Sequence, residues 1–190
     1  MRSRIFYSLL IVFFAGACKP KSGKSPGLDE LKAQKQHIDS MITEKSIVIL
    51  AKVEGEKRLV KVEGNKYPPN MEATYNVVKD ENGKTVYIAE LPFSKNSDWF
   101  IAYRSYFDND GKIFAFQRLN NFLHSECVRG AAMEKSTNYY NRKFKLIDST
   151  YTLTDSQKKP LDRSDCKFPY NFPYKVFKTV GEYKDERGID

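Results

Sequence analysis

Residues 5–14 form a nearly unbroken apolar run, and no stretch as apolar recurs further along the chain. A different pattern begins at Leu28. Leu28, Leu31, Lys35, Ile38 and Ile42 fall on one helical stripe, with Met41 beside it. That spacing predicts an amphipathic helix from residue 28 to about residue 45. Lys35 is the one polar member, and the stem of a lysine can lie along an apolar surface. Asp29 and Glu30 suit the positive end of a helix. His37 falls on the flank of the stripe, as a surface residue. A helix of this length is marginal alone, so it needs a partner.

After residue 45 the period shortens to two, and β-branched and aromatic residues take over. Strands are predicted over 46–53, 58–62, 72–78, 85–91, 99–107 and 113–119. The breaks between them carry turn chemistry: Pro68 and Pro69, Pro92, Asp80-Glu81-Asn82-Gly83-Lys84 and Asp108-Asn109-Asp110-Gly111-Lys112. The last two share an Asp-rich start, a glycine and a closing lysine, the mark of two related hairpins. The reading is coarser beyond residue 120. Residues 121–127 suit a short helix or a loop, 138–148 a strand, and 149–154 its continuation or neighbour. Prolines in 167–174 forbid a central strand there, but its aromatics can dock as ordered coil. Val176 and Phe177 suit a last short strand, and the polar residues 181–190 are expected to fray.

A helix followed by paired strands implies an α+β fold. An N-terminal helix packs on a mainly antiparallel β-sheet built of hairpins, and a Pro- and aromatic-rich C-terminal segment is irregular. The expected organisation is a signal segment over 1–17, a flexible tether over 18–27, one domain over 28–180 and a flexible tail over 181–190. In the 99–107 strand, Trp99, Ile101, Tyr103, Ser105 and Phe107 share one face, while Phe100, Ala102, Arg104 and Tyr106 share the other. Both faces are fairly apolar, so one can lie under the helix and the other can meet a second layer or a partner.

The N-terminal run changes the picture of where the chain goes. Arg2 and Arg4 precede it, and Ala15, Gly16 and Ala17 follow it. A basic start, a short apolar core and small residues describe a secretory signal. The run is too short to span a bilayer as a helix. The stretch Phe14-Ala15-Gly16-Ala17-Cys18 resembles the lipobox of bacterial lipoproteins. That resemblance implies cleavage just before Cys18, acylation of its sulfur and of the new amino group, and a place in the bacterial cell envelope, periplasmic or surface-exposed. Several acyl chains, palmitate among them, would hold the protein at a bilayer where one chain would not. The alternative is an ordinary signal cut near Ala17 that leaves a free Cys18. The Tyr106 to Lys112 pattern also resembles hairpins of uncharacterised secreted lipoproteins of Bacteroidota and of peptidase-propeptide-like domains. No binding residue is carried over from that likeness.

Composition narrows the chemistry. The chain has 190 residues, 32 Lys and Arg against 24 Asp and Glu, and a formal charge of +8. Two of those charges leave with the signal. The balance suits an anionic surface rather than nucleic acid, which is not expected as a partner outside the cytoplasm. Of three cysteines, Cys127 and Cys166 remain once Cys18 is lipidated, and in an oxidising compartment the pair forms a disulfide. Only two histidines exist, His37 and His124, without metal-site spacing, so neither a metal nor a cofactor is expected. Asp108 to Gly111 lack the twelve-residue calcium spacing, and Gly23-Lys24-Ser25 lacks the earlier glycines of a phosphate loop.

Two functional readings follow. The leading one is a membrane-tethered binding or structural module, held by acylated Cys18, whose partner is an envelope protein or a glycan. Its candidate surface is Trp99, Tyr103 and Tyr106. The alternative is an extracytoplasmic hydrolase or thiol enzyme near His124 and Cys127, where Arg129 would lower the thiol pKa. A bridged Cys127 with an exposed aromatic patch favours the first. A polar pocket holding His124 beside a free Cys127 favours the second.

Overall fold

A computed structural model describes residues 26–168 and 172–189. The expected signal segment, Cys18 and most of the tether lie outside the described residues. Helix α1 runs over Leu28–Met41. Eight strands follow: β1 (Ile47–Val53), β2 (Val60–Lys61), β3 (Met71–Lys79), β4 (Thr85–Pro92), β5 (Trp99–Phe107), β6 (Ile113–Phe122), β7 (Ala132–Tyr140) and β8 (Leu146–Thr154). A 3-10 turn at Arg163–Asp165 and helix α2 (Val180–Arg187) complete the chain.

The strands form one sheet in the order β2-β1-β3-β4-β5-β6-β7-β8. Every neighbouring pair is antiparallel. From β3 onward it is an up-and-down meander, the simplest antiparallel topology that hairpin turns can build.

Among the described residues one five-residue turn is used four times. In each, the first residue is Asp or Asn, and its Oδ1 accepts the backbone N–H of the third and fifth residues. The copies start at Asp80, Asp108, Asn141 and Asp155. The fifth residue is lysine in all four, at Lys84, Lys112, Lys145 and Lys159, and its carbonyl accepts the N–H of the first. The fourth residue takes a positive φ: Gly83 at 77°, Gly111 at 72°, Phe144 at 60° and Lys158 at 66°. The two hairpins paired by sequence are thus two of four copies. The other two are not matched to them by sequence, although residues 155–160 read as a turn, because a side chain stands where glycine is favoured. For the same reason 138–148 is not one strand. It is the end of β7, the Asn141 turn and the start of β8.

The sheet is covered on both faces. Leu31, Lys35 and Ile38 of α1 are buried, with Leu28, Met41 and Ile42 at the margin. They pack on Val78, Tyr87, Tyr106, Phe114 and Tyr139. Lys35 keeps its place through its ammonium group, which pairs with Asp39 at 2.7 Å and lies 4.5 Å above the Tyr106 ring. Lys32 meets Asp148 of β8, while Asp39 accepts a 2.8 Å hydrogen bond from Tyr106 of β5, so the helix crosses the strands.

On the opposite face the C-terminal segment forms the second cover. Tyr174 stacks on Tyr103 at 3.9 Å between ring centres and on Phe116 at 5.4 Å. Phe177 is buried but belongs to no strand. Residues 181–187, in the tail expected to fray, belong to α2 instead. Thr179 accepts the Glu182 N–H, the Glu182 carboxylate accepts the Lys178 N–H, and Gly188 ends the helix at φ 68°. Those groups answer the orphan backbone groups of a short helix, and Tyr183 and Ile189 are buried against the core. Residues 121–127 hold no helix, because β6 continues through Phe122.

Candidate functional site

The three aromatics expected to form a surface do not form one. Tyr103 and Tyr106 lie on opposite faces of β5 and are 2% and 0% exposed. Tyr103 is covered by Tyr174, and Tyr106 by α1. Trp99 is half-buried, with its ring edge-on to Phe172 at 5.5 Å. Two covers, one per face, turn the apolar positions of β5 into core. Burial pushes the tyrosine hydroxyls away from ionisation: Tyr75 and Tyr87 are raised to about 12, and Tyr106 lies higher still, with the Tyr87 and Asp39 charges adding to desolvation.

Three exposed aromatics sit at one end of the sheet, two in loops beside the strands and Phe100 at the start of β5. Tyr67, Phe93 and Phe100 are 48%, 50% and 43% exposed. With Met71, Leu91 and Trp99 they line a recess of about 500 Å³, with Ser94 and Ser97 on its wall. Its geometry is fixed by backbone bonds. The Phe93 N–H donates to the Glu72 carbonyl at 2.9 Å, and the Leu123 N–H to the Asp98 carbonyl at 3.1 Å. Ser94 donates to Asp98 at 2.8 Å and closes the loop that carries Phe93. Leu123, 46% exposed, lies in the next loop at this end. The signal was legible in principle. Tyr67 precedes two prolines and Phe93 follows one, so both are aromatics placed where a strand has stopped.

At the other end, a recess of about 950 Å³ separates α1 from the turn tips. Gln34, His37, Asp80, Asp108 and Asn141 face it. Three of its carboxylates are engaged. Asp80 and Asp108 bind their own turns, and Asp110 meets Arg142 at 3.6 Å. Among the described residues no group of three or more His, Cys, Asp and Glu is arranged to hold a metal ion.

Cys127 and Cys166 are bridged, with sulfurs 2.08 Å apart across a separation of 39 residues. A loop of that size restricts the unfolded chain by about 4 kcal/mol in the chain-entropy account. The bridge fastens the C-terminal cover to the loop after β6, beside a 2.9 Å bond from the Lys167 N–H to the Ser125 carbonyl. Cys127 therefore presents no thiol to His124, which is exposed. Among the described residues no helix is long and apolar enough to cross a membrane.

Comparison of the chain with protein families, with curated proteins and with solved structures yields no match.

Proposed function

We propose that this chain is a lipid-anchored protein of the bacterial envelope whose folded domain is a binding module, with the aromatic recess at Tyr67, Phe93, Phe100 and Trp99 as its docking site. The anchor rests on the lipobox-like stretch ending at Cys18. One observation carries the docking site. In a domain that covers both faces of its sheet, three large aromatic side chains stay outside, together, around one recess. Exposed apolar groups that are grouped rather than scattered mark interaction surfaces, and aromatic anchors contribute most of the binding energy at such surfaces. The partner is an envelope protein or glycan offering an apolar or ring face. The bridged Cys127 removes the nucleophile that the thiol-enzyme reading requires.

The test has two arms. Intact-mass analysis of the native protein should show residues 1–17 absent and acyl groups on Cys18. A photo-crosslinking amino acid at position 93, in the native membrane, should trap a defined partner that is lost in Phe100→Ser. The same probe at Val48, exposed but distant from the recess, should not trap it. An unprocessed chain refutes the anchor, and identical adducts from positions 93 and 48 refute the docking site.

A further inference from the structure

The recess at Tyr67, Phe93, Phe100 and Trp99 lies beyond the last rung that β4 and β5 share. Their ladder runs from Tyr87–Tyr106 to Glu90–Tyr103 and goes no further, although β4 continues to Pro92 and β5 starts at Trp99. Pro92 has no N–H with which to extend it. Leu91 and Pro92 line the recess from β4, Trp99 and Phe100 from β5, and Ser94 and Ser97 from the loop that connects them.

The chemistry of the lining selects the occupant. Among the described residues no charged or amide side chain lines the recess, and its polar groups are the hydroxyls of Tyr67, Thr74, Ser94 and Ser97. Ser94 already donates to Asp98 at 2.8 Å. A sugar carries hydroxyls around its whole ring, and each one buried without a partner is penalised. This lining has too few groups to meet them. An apolar protein side chain makes no such demand, and the exposed rings of Tyr67, Phe93 and Phe100 offer it the contact from which aromatic anchors draw affinity.

The rim adds a sign. The charged residues next to the lining in sequence are Lys66, Glu72, Glu90, Lys95 and Asp98. Each carboxylate is engaged: Glu72 by Lys52 at 2.7 Å, Glu90 by Arg187 at 3.0 Å and Asp98 by Ser94. Lys66 and Lys95 are exposed, and among the described residues neither pairs with a carboxylate. Two uncommitted ammonium groups therefore flank a neutral recess, one beside Tyr67 and one beside Ser94.

We infer that the recess binds a protein segment in which a large apolar side chain is flanked by Asp or Glu. The inference deepens the docking site proposed above and rests on it. The apolar side chain enters between the rings and supplies most of the affinity. The flanking acids meet Lys66 and Lys95 in exposed pairs, which add little affinity but raise the association rate and reject basic segments. A glycan is the competing occupant.

Trp99 is the only tryptophan of the chain and lines the recess, so its emission reports occupancy without a label. The full chain, reconstituted in neutral phosphatidylcholine vesicles, is titrated with acetylated peptides that carry a Phe-Leu pair between acidic pairs, the same pair between lysine pairs, or a Ser-Ser pair between acidic pairs. The first should give a saturable change in emission. The second should bind about tenfold more weakly, the scale of two exposed ion pairs replaced by repulsion, and the third should give no change. A hexamer of N-acetylglucosamine should also give none. In the double variant Lys66→Glu, Lys95→Glu the preference for acidic flanks should reverse, and raised salt should erase it in both proteins. The inference is overturned if the acidic peptide gives no saturable change, if the sugar hexamer does, if flank charge makes no difference, or if the double variant binds as the parent does. The photo-crosslink from position 93 separates this inference from the docking site itself. An adduct that is a protein segment, apolar at the cross-linked residue with acids beside it, supports both. An adduct carrying sugar keeps the docking site and overturns the protein occupant, and no adduct at all removes both.

Discussion

Glu90 of β4 holds the C-terminal cover to the sheet, and its removal is the sharpest test of how the two layers are joined. The residue is 8% exposed. Its Oε2 accepts three hydrogen bonds: from Arg187 Nε at 3.0 Å, from the Tyr174 hydroxyl at 3.2 Å and from the Tyr183 hydroxyl at 3.3 Å. The two tyrosines also touch each other, with 3.2 Å between their oxygens. Glu90→Ala removes the shared acceptor. It leaves a partly buried guanidinium and two buried hydroxyls that can satisfy only one another. Deleting one partner of a buried ion pair costs about 3–5 kcal/mol. Arg187 keeps 28% of its side chain exposed, so water recovers part of that. The expected loss is about 3 kcal/mol, with Glu90→Gln near half of it, because an amide oxygen still accepts from Arg187. Urea unfolding measures both. The double variant Glu90→Gln, Arg187→Met should be less destabilised than the sum of its parts by about 1 kcal/mol or more. A loss below about 0.5 kcal/mol for Glu90→Ala at an unchanged denaturant slope, or strict additivity in the cycle, would show that packing alone holds α2 in place.

Two further outcomes follow from single observations. The folded chain keeps Tyr75 and Tyr87 protonated to about pH 12, against 10 for the free side chain, mainly through desolvation. A raised folded pKa means that this stability is intact below pH 10 and is lost as pH rises toward 12. Each tyrosine accounts for up to roughly 2–3 kcal/mol of that loss. Absorbance titration of the phenolates should show late-ionising tyrosines that become ordinary in urea, and an unfolding free energy that falls above pH 10. Lys158, at φ 66° in the fourth copy of the turn, pays for a conformation that glycine takes freely. Lys158→Gly should therefore raise stability by about 0.5–1 kcal/mol, read by denaturant midpoint, and a lower midpoint would count against the turn geometry.

Most of the fold could be read from the hydrophobic pattern because the strands alternate cleanly and two turns carry glycine. The stripe from Leu28 to Ile42 located α1, including the buried stem of Lys35, since a helix has only one way to face a sheet. Reading failed where local chemistry departed from type. Phe144 at positive φ hid a turn, so β7 and β8 merged. The α2 sequence looked too polar to fold, yet Thr179, Glu182 and Gly188 carry its start and stop signals, and Tyr183 with Ile189 supply the buried contacts. The candidate surface failed for a different reason. Alternation assigns residues to faces, but it does not say how many faces are covered, and the second cover comes from a segment some 70 residues away from Tyr103, at Tyr174.

That second cover also decides where recognition can occur. With α1 on one face and the 172–189 segment on the other, neither broad face of the central strands is open to a partner. What is left to a binding protein of this architecture is the ends of the strands and the edges of the sheet. The aromatic recess occupies one such end, built around β3 to β5.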